Sequence, residues 1–416
     1  MNTYAVIIAV ALVADYAVDR VAEVRNLRAL REEPPAGFET VYEPDTYRRS
    51  QRYTRERTRL GRVSQSVDLA ALLAFWWLGG FAWLAGWVSG MPGGPVTQGL
   101  VFVAVLGAAR GLIDLPFMIY GTFVVEARYG FNRTTVRTFL ADMVKGLLLT
   151  IVLGAPALAA VIAFFAYAGA LAWVYAWAVV VAFSVALEFV VPTWIMPLFN
   201  RFTPLEEGEL HTAISAYAAS VDFPLRSVMV MDGSRRSTKA NAFFTGFGRN
   251  KRIALFDTLI AQHGTQELVA VIAHEVGHYK KRHVLQGLVL SVVHMGVLFY
   301  LLSQFLTKEG LFAAFGVAEP SVYAGLVFFG LLLTAVETAL SVGLQALSRR
   351  HERQADAFAA ETTGHPEAMV TALVTLARTT LTNLTPDPFY VLLHYSHPPL
   401  VERVAALEAR RSSETP

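Results

Sequence analysis

The sequence predicts an α-helical polytopic membrane protein with seven transmembrane helices. Three observations carry that prediction. Hydrophobic residues make up 54% of the 416 and charged residues only 16%. Mean hydropathy is +0.44, too apolar for a chain that must cover its core with polar surface. Seven apolar stretches approach or exceed the roughly 20 residues that a helix needs to cross a bilayer, and the basic residues gather between them.

Taken in order, the stretches are Tyr4–Val18, Val67–Val88, Gly99–Val125, Val144–Ala168, Leu171–Val191, Val284–Leu306 and Ser321–Leu347. Asp15 and Asp19 interrupt the first, which lacks a basic leading segment and reads as a retained anchor. The connection from Asp19 to Ser66 is crowded with arginine, from Arg20 and Arg25 to Arg59 and Arg62, whereas Ser89–Gln98 carries no charge. Positively charged loops stay on the cytosolic side. The N-terminus is therefore expected outside, and the segments Arg128–Lys145, Arg201–Arg282 and the tail from Arg349 inside. The triplets starting at Asn132 and Asn383 resemble glycosylation acceptors but fall on the cytosolic side. The net charge of +2 is explained by those basic loops, and nothing resembles a nucleic-acid-binding module.

Cysteine is absent, which removes disulfides, thiolate ligands and a cysteine nucleophile together. Histidine and carboxylate remain as metal ligands. His274-Glu275-Val276-Gly277-His278 places two imidazoles four residues apart, on one helix face, where both can bind one zinc ion. Glu275 points at the open position of such a metal, where it can take a proton from water as general base. That is the chemistry of a zinc endopeptidase. The helix is expected to start at Gly264-Thr265, capped by Thr265. With no proline before Pro320, it is expected to continue into the sixth span.

A third ligand must come from far along the chain. In Ser348–Phe358 a helical run places Glu352 and Asp356 four apart on one face. Glu352 can reach the metal, and Asp356 can accept the outer N–H of a bound imidazole, fixing its tautomer. A solvated juxtamembrane helix would also carry such charges. Placement favours the metal reading: His278 lies just ahead of the sixth span and Glu352 just behind the seventh, so adjacent antiparallel helices would bring them together. The stretch Asn241–Phe247, a Gly-Arg-Asn turn and Arg252–Asp257 read as a β-hairpin. Its edge, with Asn241, Ala242, Phe243 and Phe244, would pair with an extended substrate as an added strand. The rings of Phe243, Phe244 and Phe247 also suit packing.

These segments identify a family. The chain resembles the type 1 integral-membrane CAAX prenyl proteases, zinc metallopeptidases of the gluzincin type, and more distantly the HtpX-like membrane proteases. The resemblance rests on Glu126-Ala127-Arg128-Tyr129-Gly130-Phe131-Asn132, on 197–205, 241–247 and 252–259, on the zinc motif, on 350–358 and on 395–403. It implies seven helices enclosing a large chamber, with Arg110, Asp114, Glu188, His294 and Glu337 as lining; the alternative is pairing within an ordinary bundle. It also implies one zinc ion per chain held by His274, His278 and Glu352. His397, Asn241 and Arg403 would lie near the reacting carbonyl. Pro398 and Pro399 hold the backbone after His397 extended, so its imidazole would be aimed to support an oxyanion. Arg403 would either neutralise the carboxylates around zinc or bind substrate.

The expected organisation is 1–192 with five spans and their cytosolic loops, then 193–283 as the cytosolic catalytic part. Residues 284–347 would hold two spans, and 348–416 the C-terminal catalytic part with the third ligand. The expected partners are a peptide or protein substrate, prenylated on the strength of the resemblance, and the lipid bilayer. Cleavage would follow the lipidated cysteine and release a tripeptide. Quality-control proteolysis of membrane proteins is the alternative, and a transporter or receptor with a structural metal site the third reading. Arginine-over-lysine usage and Ala/Gly richness point to a GC-rich bacterial source and an inner-membrane location, or to the endoplasmic reticulum membrane if the source is eukaryotic.

Overall fold

The computed structural model describes residues 2–39, 42–245 and 251–414. Helix α1 (Thr3–Ala29) starts at Asn2, whose side chain accepts from the Tyr4 and Ala5 amides. Its acids are partnered: Asp15 accepts from the Thr338 hydroxyl at 2.5 Å, and Asp19 faces His394 at 3.6 Å. Helix α2 (Pro44–Trp77) bends by 62° into α3 (Gly80–Ser89). Gly79 takes a left-handed conformation there, φ 79°, which glycine adopts without a Cβ clash. The second predicted span is thus broken rather than straight.

Helix α4 (Gly94–Tyr120) runs into a π-helical turn at Gly121–Glu126. Helices α5 (Val136–Leu149) and α6 (Ala155–Tyr167) join through a π turn at Thr150–Gly154. A 3₁₀ turn, Gly169–Leu171, separates them from α7 (Ala172–Val190), which passes through a π turn at Val191–Ile195 to α8 (Met196–Phe199). Pro156 and Pro192 sit beside or within two of these turns. Proline removes a rung of the helical ladder, and the wider turn lets the chain continue.

The segment after α8 forms a four-stranded sheet: β1 (Phe202–Pro204), β2 (Leu225–Met231), β3 (Ala242–Thr245) and β4 (Lys251–Phe256), in the order β1-β2-β4-β3. β2 and β4 are parallel and the outer pairings antiparallel. β3 and β4 form the predicted ladder, from Ala242 opposite Leu255 to Thr245 opposite Arg252. Their connection, with Gly246, Phe247 and the Gly-Arg-Asn turn, lies outside the described residues. α9 (Glu209–Ser220), α10 (Asp257–Gln262) and α11 (Thr265–Lys280) complete this part. Ile214, Val228, Ile253, Leu255, Ile272 and Val276 pack between sheet and helices.

Helix α12 (His283–Phe305) follows α11 after a sharp break. Arg282 is left-handed, φ 59°, so the expected continuity into the membrane does not hold. Nor does Thr265 cap α11: Gly264 is the cap residue, without a side-chain bond. After α13 (Glu309–Ala313), α14 (Val322–Thr363) runs unbroken for 42 residues and carries Glu352 and Asp356 near its end. α15 (Pro366–Thr380), α16 (Pro388–His394) and α17 (Leu400–Glu414) close the chain.

Among the described residues, five helical stretches are long and apolar enough to cross a membrane, and six if α2 and α3 count as one bent span. Every comparable stretch of α1 contains Asp15, Asp19 and Arg20. The molecule is a mostly helical polytopic membrane protein with a small mixed sheet. Its membrane core is concentrated at the end of α14 away from Glu352, where Trp76, Phe81, Phe312, Phe315 and Phe328 pack with Ile8 and Phe102. Phe315 stacks on Phe328 at 3.9 Å between ring centroids. Between this plug and the sheet domain the helices meet through local contacts, such as Trp177 Nε1 donating to the Val292 carbonyl at 3.0 Å, and bury little of their surface. In the most apolar windows of the five stretches only 6, 11, 6, 0 and 17% of residues are buried, whereas a helix packed along one face would bury roughly a third.

Candidate metal centre

The sequence brings α11 unusually close to α14 at one residue. A Cβ on Gly277 would lie 3.1 Å from the Ala355 Cα and 3.2 Å from its carbonyl oxygen. This approach sets His274 and His278 against Glu352, and one ligand atom from each lies within 4.8 Å of the others. The His274 and His278 Nε2 atoms are 3.2 Å apart. They lie 3.4 Å from Glu352 Oε2 and 3.3 Å from Glu352 Oε1 respectively.

Glu352 Oε2 is buried and makes no hydrogen bond. A carboxylate oxygen without a hydrogen bond, on a residue only 5% exposed, is costly unless cationic charge nearby compensates it. Two imidazoles and one carboxylate, all with lone pairs converging, form a donor set that suits zinc. The residues present therefore fit the ion.

Asp356 Oδ1 lies 2.8 Å from His274 Nδ1. Burial opposes charging of His274, but the bond to Asp356 and the neighbouring Glu352 carboxylate outweigh it and push its pKa up to about 9 in the metal-free arrangement. Arg403 donates to Asp356 from Nε at 2.8 Å and from Nη2 at 2.6 Å, and its Nη2 is 3.9 Å from Glu352 Oε2. Its guanidinium thus compensates the carboxylates. Glu275, one residue past His274, is half-buried; burial raises its carboxyl above the ordinary value.

His397 reaches the cluster from the loop before α17, its Nε2 3.3 Å from Glu352 Oε1, with a side chain 58% exposed. Ser396 Oγ holds its Nδ1 at 2.8 Å. Asn241 stands apart: it is exposed, its Oδ1 accepts from the Ala242 amide at 2.9 Å, and its carbonyl accepts from Phe256. Among the described residues it makes no hydrogen bond to the cluster. Ala242 and Phe244 face the sheet-domain core, and Phe244 packs edge-on against Phe223 and Tyr279. Phe243 lies on the other side, against Phe256. β3 is an edge strand, paired only with β4 among the described residues.

Sequence reasoning missed a second group behind the metal ligands. His283 Nδ1 is 3.1 Å from His278 Nδ1, and its Nε2 is 2.8 Å from Gln354 Oε1. His351 stacks on His283 at 4.0 Å, and its Nε2 lies 2.9 Å from Gln286 Oε1. A third histidine five residues past His278 was the available signal. It also missed the clamps ahead of β3. Lys239 donates to Glu126 and to the Tyr53 hydroxyl, each at 2.8 Å. Arg236 makes a two-pronged pair with Asp142 at 2.8 and 3.0 Å.

In the membrane region, Arg110 pairs with Asp68 at 2.7 Å and with Asp114 at 2.8 Å. His294 bonds Glu337 at 3.1 Å, and Glu188 is exposed.

Known proteins resemble this chain in sequence and fold along most of its length. Residues 23–201 match the family described as CAAX prenyl protease N-terminal, five membrane helices, and residues 204–411 match peptidase family M48. A CAAX prenyl protease 1 homolog of Oryza sativa subsp. japonica is 43% identical over 310 residues, covering 74% of this chain and 73% of that protein. A homolog of Arabidopsis thaliana is 36% identical over 406 residues, covering 95% and 96%. The crystal structure of S. mikatae Ste24p superposes with a TM-score of 0.93 at 32% identity, covering 98% of this chain and all of that one. Fold, donor set and sequence agree: this chain belongs to the CAAX prenyl protease 1 family of M48 zinc metallopeptidases.

Proposed function

We propose that this metallopeptidase cleaves prenylated peptides after the lipidated cysteine and releases the C-terminal tripeptide. The observation that carries the chemistry is the convergence of His274, His278 and Glu352 around the orphaned Glu352 Oε2. On this reading those three residues hold one zinc ion per chain. When bound, zinc supplies a Lewis acid that polarises the scissile carbonyl and makes a water acidic. Glu275 takes the proton of the attacking water and returns it to the leaving amine, and its raised pKa suits both steps. Asp356 holds the His274 ring through Nδ1, and Arg403 balances Asp356. His397 is reached from solvent on the open side, where its imidazole donates to the developing oxyanion. The free edge of β3, from Asn241 through Phe244, aligns the substrate as an added strand.

The low burial between the aromatic plug and the sheet domain supports seven spans around a chamber: α1, the bent α2–α3 pair and the five long apolar stretches. Its polar lining would include the Arg110 and His294 pairs together with Glu188. Arginine-rich α2 supports a cytosolic catalytic side and an outside N-terminus. The parts 284–347 and 348–416 meet inside α14, which runs unbroken across their boundary. The membrane is a bacterial inner membrane, or the endoplasmic reticulum for a eukaryotic source.

The test uses purified wild type and Glu275→Gln with a farnesylated C-terminal peptide, its unprenylated twin and an unfolded membrane-protein fragment. Wild type should cleave the lipidated peptide fastest and Glu275→Gln none of the three. Equal cleavage by Glu275→Gln would remove the base assignment. Indifference to the lipid would instead favour quality-control proteolysis.

A further inference from the structure

We infer that His283 is a positioning residue that sets the tautomer and orientation of His278. The inference rests on the reading of His278 as a metal ligand. The His278 Nε2 faces His274 Nε2 and Glu352 Oε1, so this nitrogen must present a lone pair to a metal. A neutral imidazole then carries its proton on Nδ1. That proton points at His283 Nδ1, 3.1 Å away, which must accept it. His283 consequently carries its own proton on Nε2, where Gln354 Oε1 accepts at 2.8 Å. The chain of donors runs one way, from His278 through His283 to the amide oxygen of Gln354, and every donor in it has an acceptor.

The surroundings hold His283 in that role. It is 5% exposed, it is the first residue of α12, and His351 covers its face at 4.0 Å with planes 9° apart. Gln286 Oε1 in turn sits 2.9 Å from His351 Nε2. Residues from the first turn of α12 and from α14 thus clasp one ring behind a ligand. His274 has the corresponding partner in Asp356, a charged acceptor; His278 has a neutral one. Outer partners of this kind govern how tightly a site holds its metal.

The test measures zinc retention by the full-length, detergent-solubilised protein in competition with a chromophoric chelator. His283→Leu removes the acceptor and should weaken zinc by about 10- to 100-fold. His283→Asn restores an acceptor oxygen close to the position of Nδ1 and should recover most of that loss. Gln354→Leu, which leaves His283 in place, should weaken zinc by a smaller factor in the same direction. Melting of the metal-free variants checks the fold. Wild-type retention by both His283→Leu and Gln354→Leu would overturn the inference, as would an equal loss in His283→Asn and His283→Leu. His278→Ala separates the two layers. If it keeps zinc, the ligand reading fails; if it loses zinc while His283→Leu does not, only the positioning inference fails.

Discussion

Replacing Gly277 by alanine tests whether the metal geometry depends on the contact between α11 and α14. The added Cβ would sit 3.1 Å from the Ala355 Cα, 3.2 Å from the Ala355 carbonyl oxygen and 3.2 Å from the Phe358 ring. Carbon contacts are comfortable at about 3.5–4.0 Å, so the helices must part by about 0.5 Å, and two of the three obstacles are backbone atoms that cannot rotate away. Overpacking of this kind costs about 1–3 kcal/mol, offset by about 1 kcal/mol from the better helix propensity of alanine. The expected net loss of stability is therefore small, about 0–2 kcal/mol. The metal should be hit harder. Ligand distances tolerate only about 0.2 Å, and the same displacement moves His274 and His278 away from Glu352, so zinc affinity should fall by about tenfold or more. Chelator competition measures that fall, and melting with and without chelator measures stability. Gly343 lies in α14 with nothing within 4 Å of a Cβ, and Gly343→Ala should leave zinc affinity unchanged. A Gly277→Ala variant that binds zinc as the wild type does would refute the reasoning.

Other perturbations have equally definite outcomes. Arg403→Met strips the two-pronged pair from Asp356, whose side chain is only 7% exposed, and should destabilise the fold by about 3–5 kcal/mol. Adding Asp356→Asn should recover part of this in thermal melts. Lys239→Met removes the half-exposed link to Glu126 and should cost stability only about 1 kcal/mol or less. Since β3 begins three residues later, peptide kinetics should show a larger change in KM than in kcat. Zinc binding should also depend on pH. The pKa of metal-free His274 is raised to about 9, so below that pH the ion must displace a proton, and affinity should drop by about tenfold for each unit of acidification. Calorimetry in buffers of different ionisation enthalpy should register the released proton.

The parts legible from sequence are those that local periodicity controls. Long apolar runs disclosed the membrane helices, and the spacing of His274 and His278 put two imidazoles on one face by helical geometry alone. The 62° bend between α2 and α3 left no trace in hydropathy, because Leu78-Gly79-Gly80 is as apolar as its flanks. The break after α11 was hidden for another reason. Lys280-Lys281-Arg282-His283 contains neither proline nor glycine, and Arg282, exposed and left-handed, takes a conformation its sequence does not advertise. His283 was overlooked because it reads as the polar margin of a span, and its contact with His278 depends on that unforeseen turn. Arg403 could be read from sequence in two ways, and only its proximity to Asp356 separates them.

The contrast between unbroken α14 and the interrupted α11–α12 connection has a mechanical consequence. Tyr323, in the aromatic plug, and Glu352 belong to one rod, about 44 Å apart along its axis at about 1.5 Å per residue. A tilt of about one degree at the plug swings Glu352 by about 0.8 Å, several times the slack of a metal site. α11, wedged onto α14 at Gly277, is carried with that swing, and so is the first turn of α12, where His283 and Gln286 are tied to Gln354 and His351 of α14. Changes in bilayer thickness that re-tilt the spans would therefore reach both sides of the metal centre together. The metal centre travels as cargo on the lever's end, its ligands and their outer partners moving as one group.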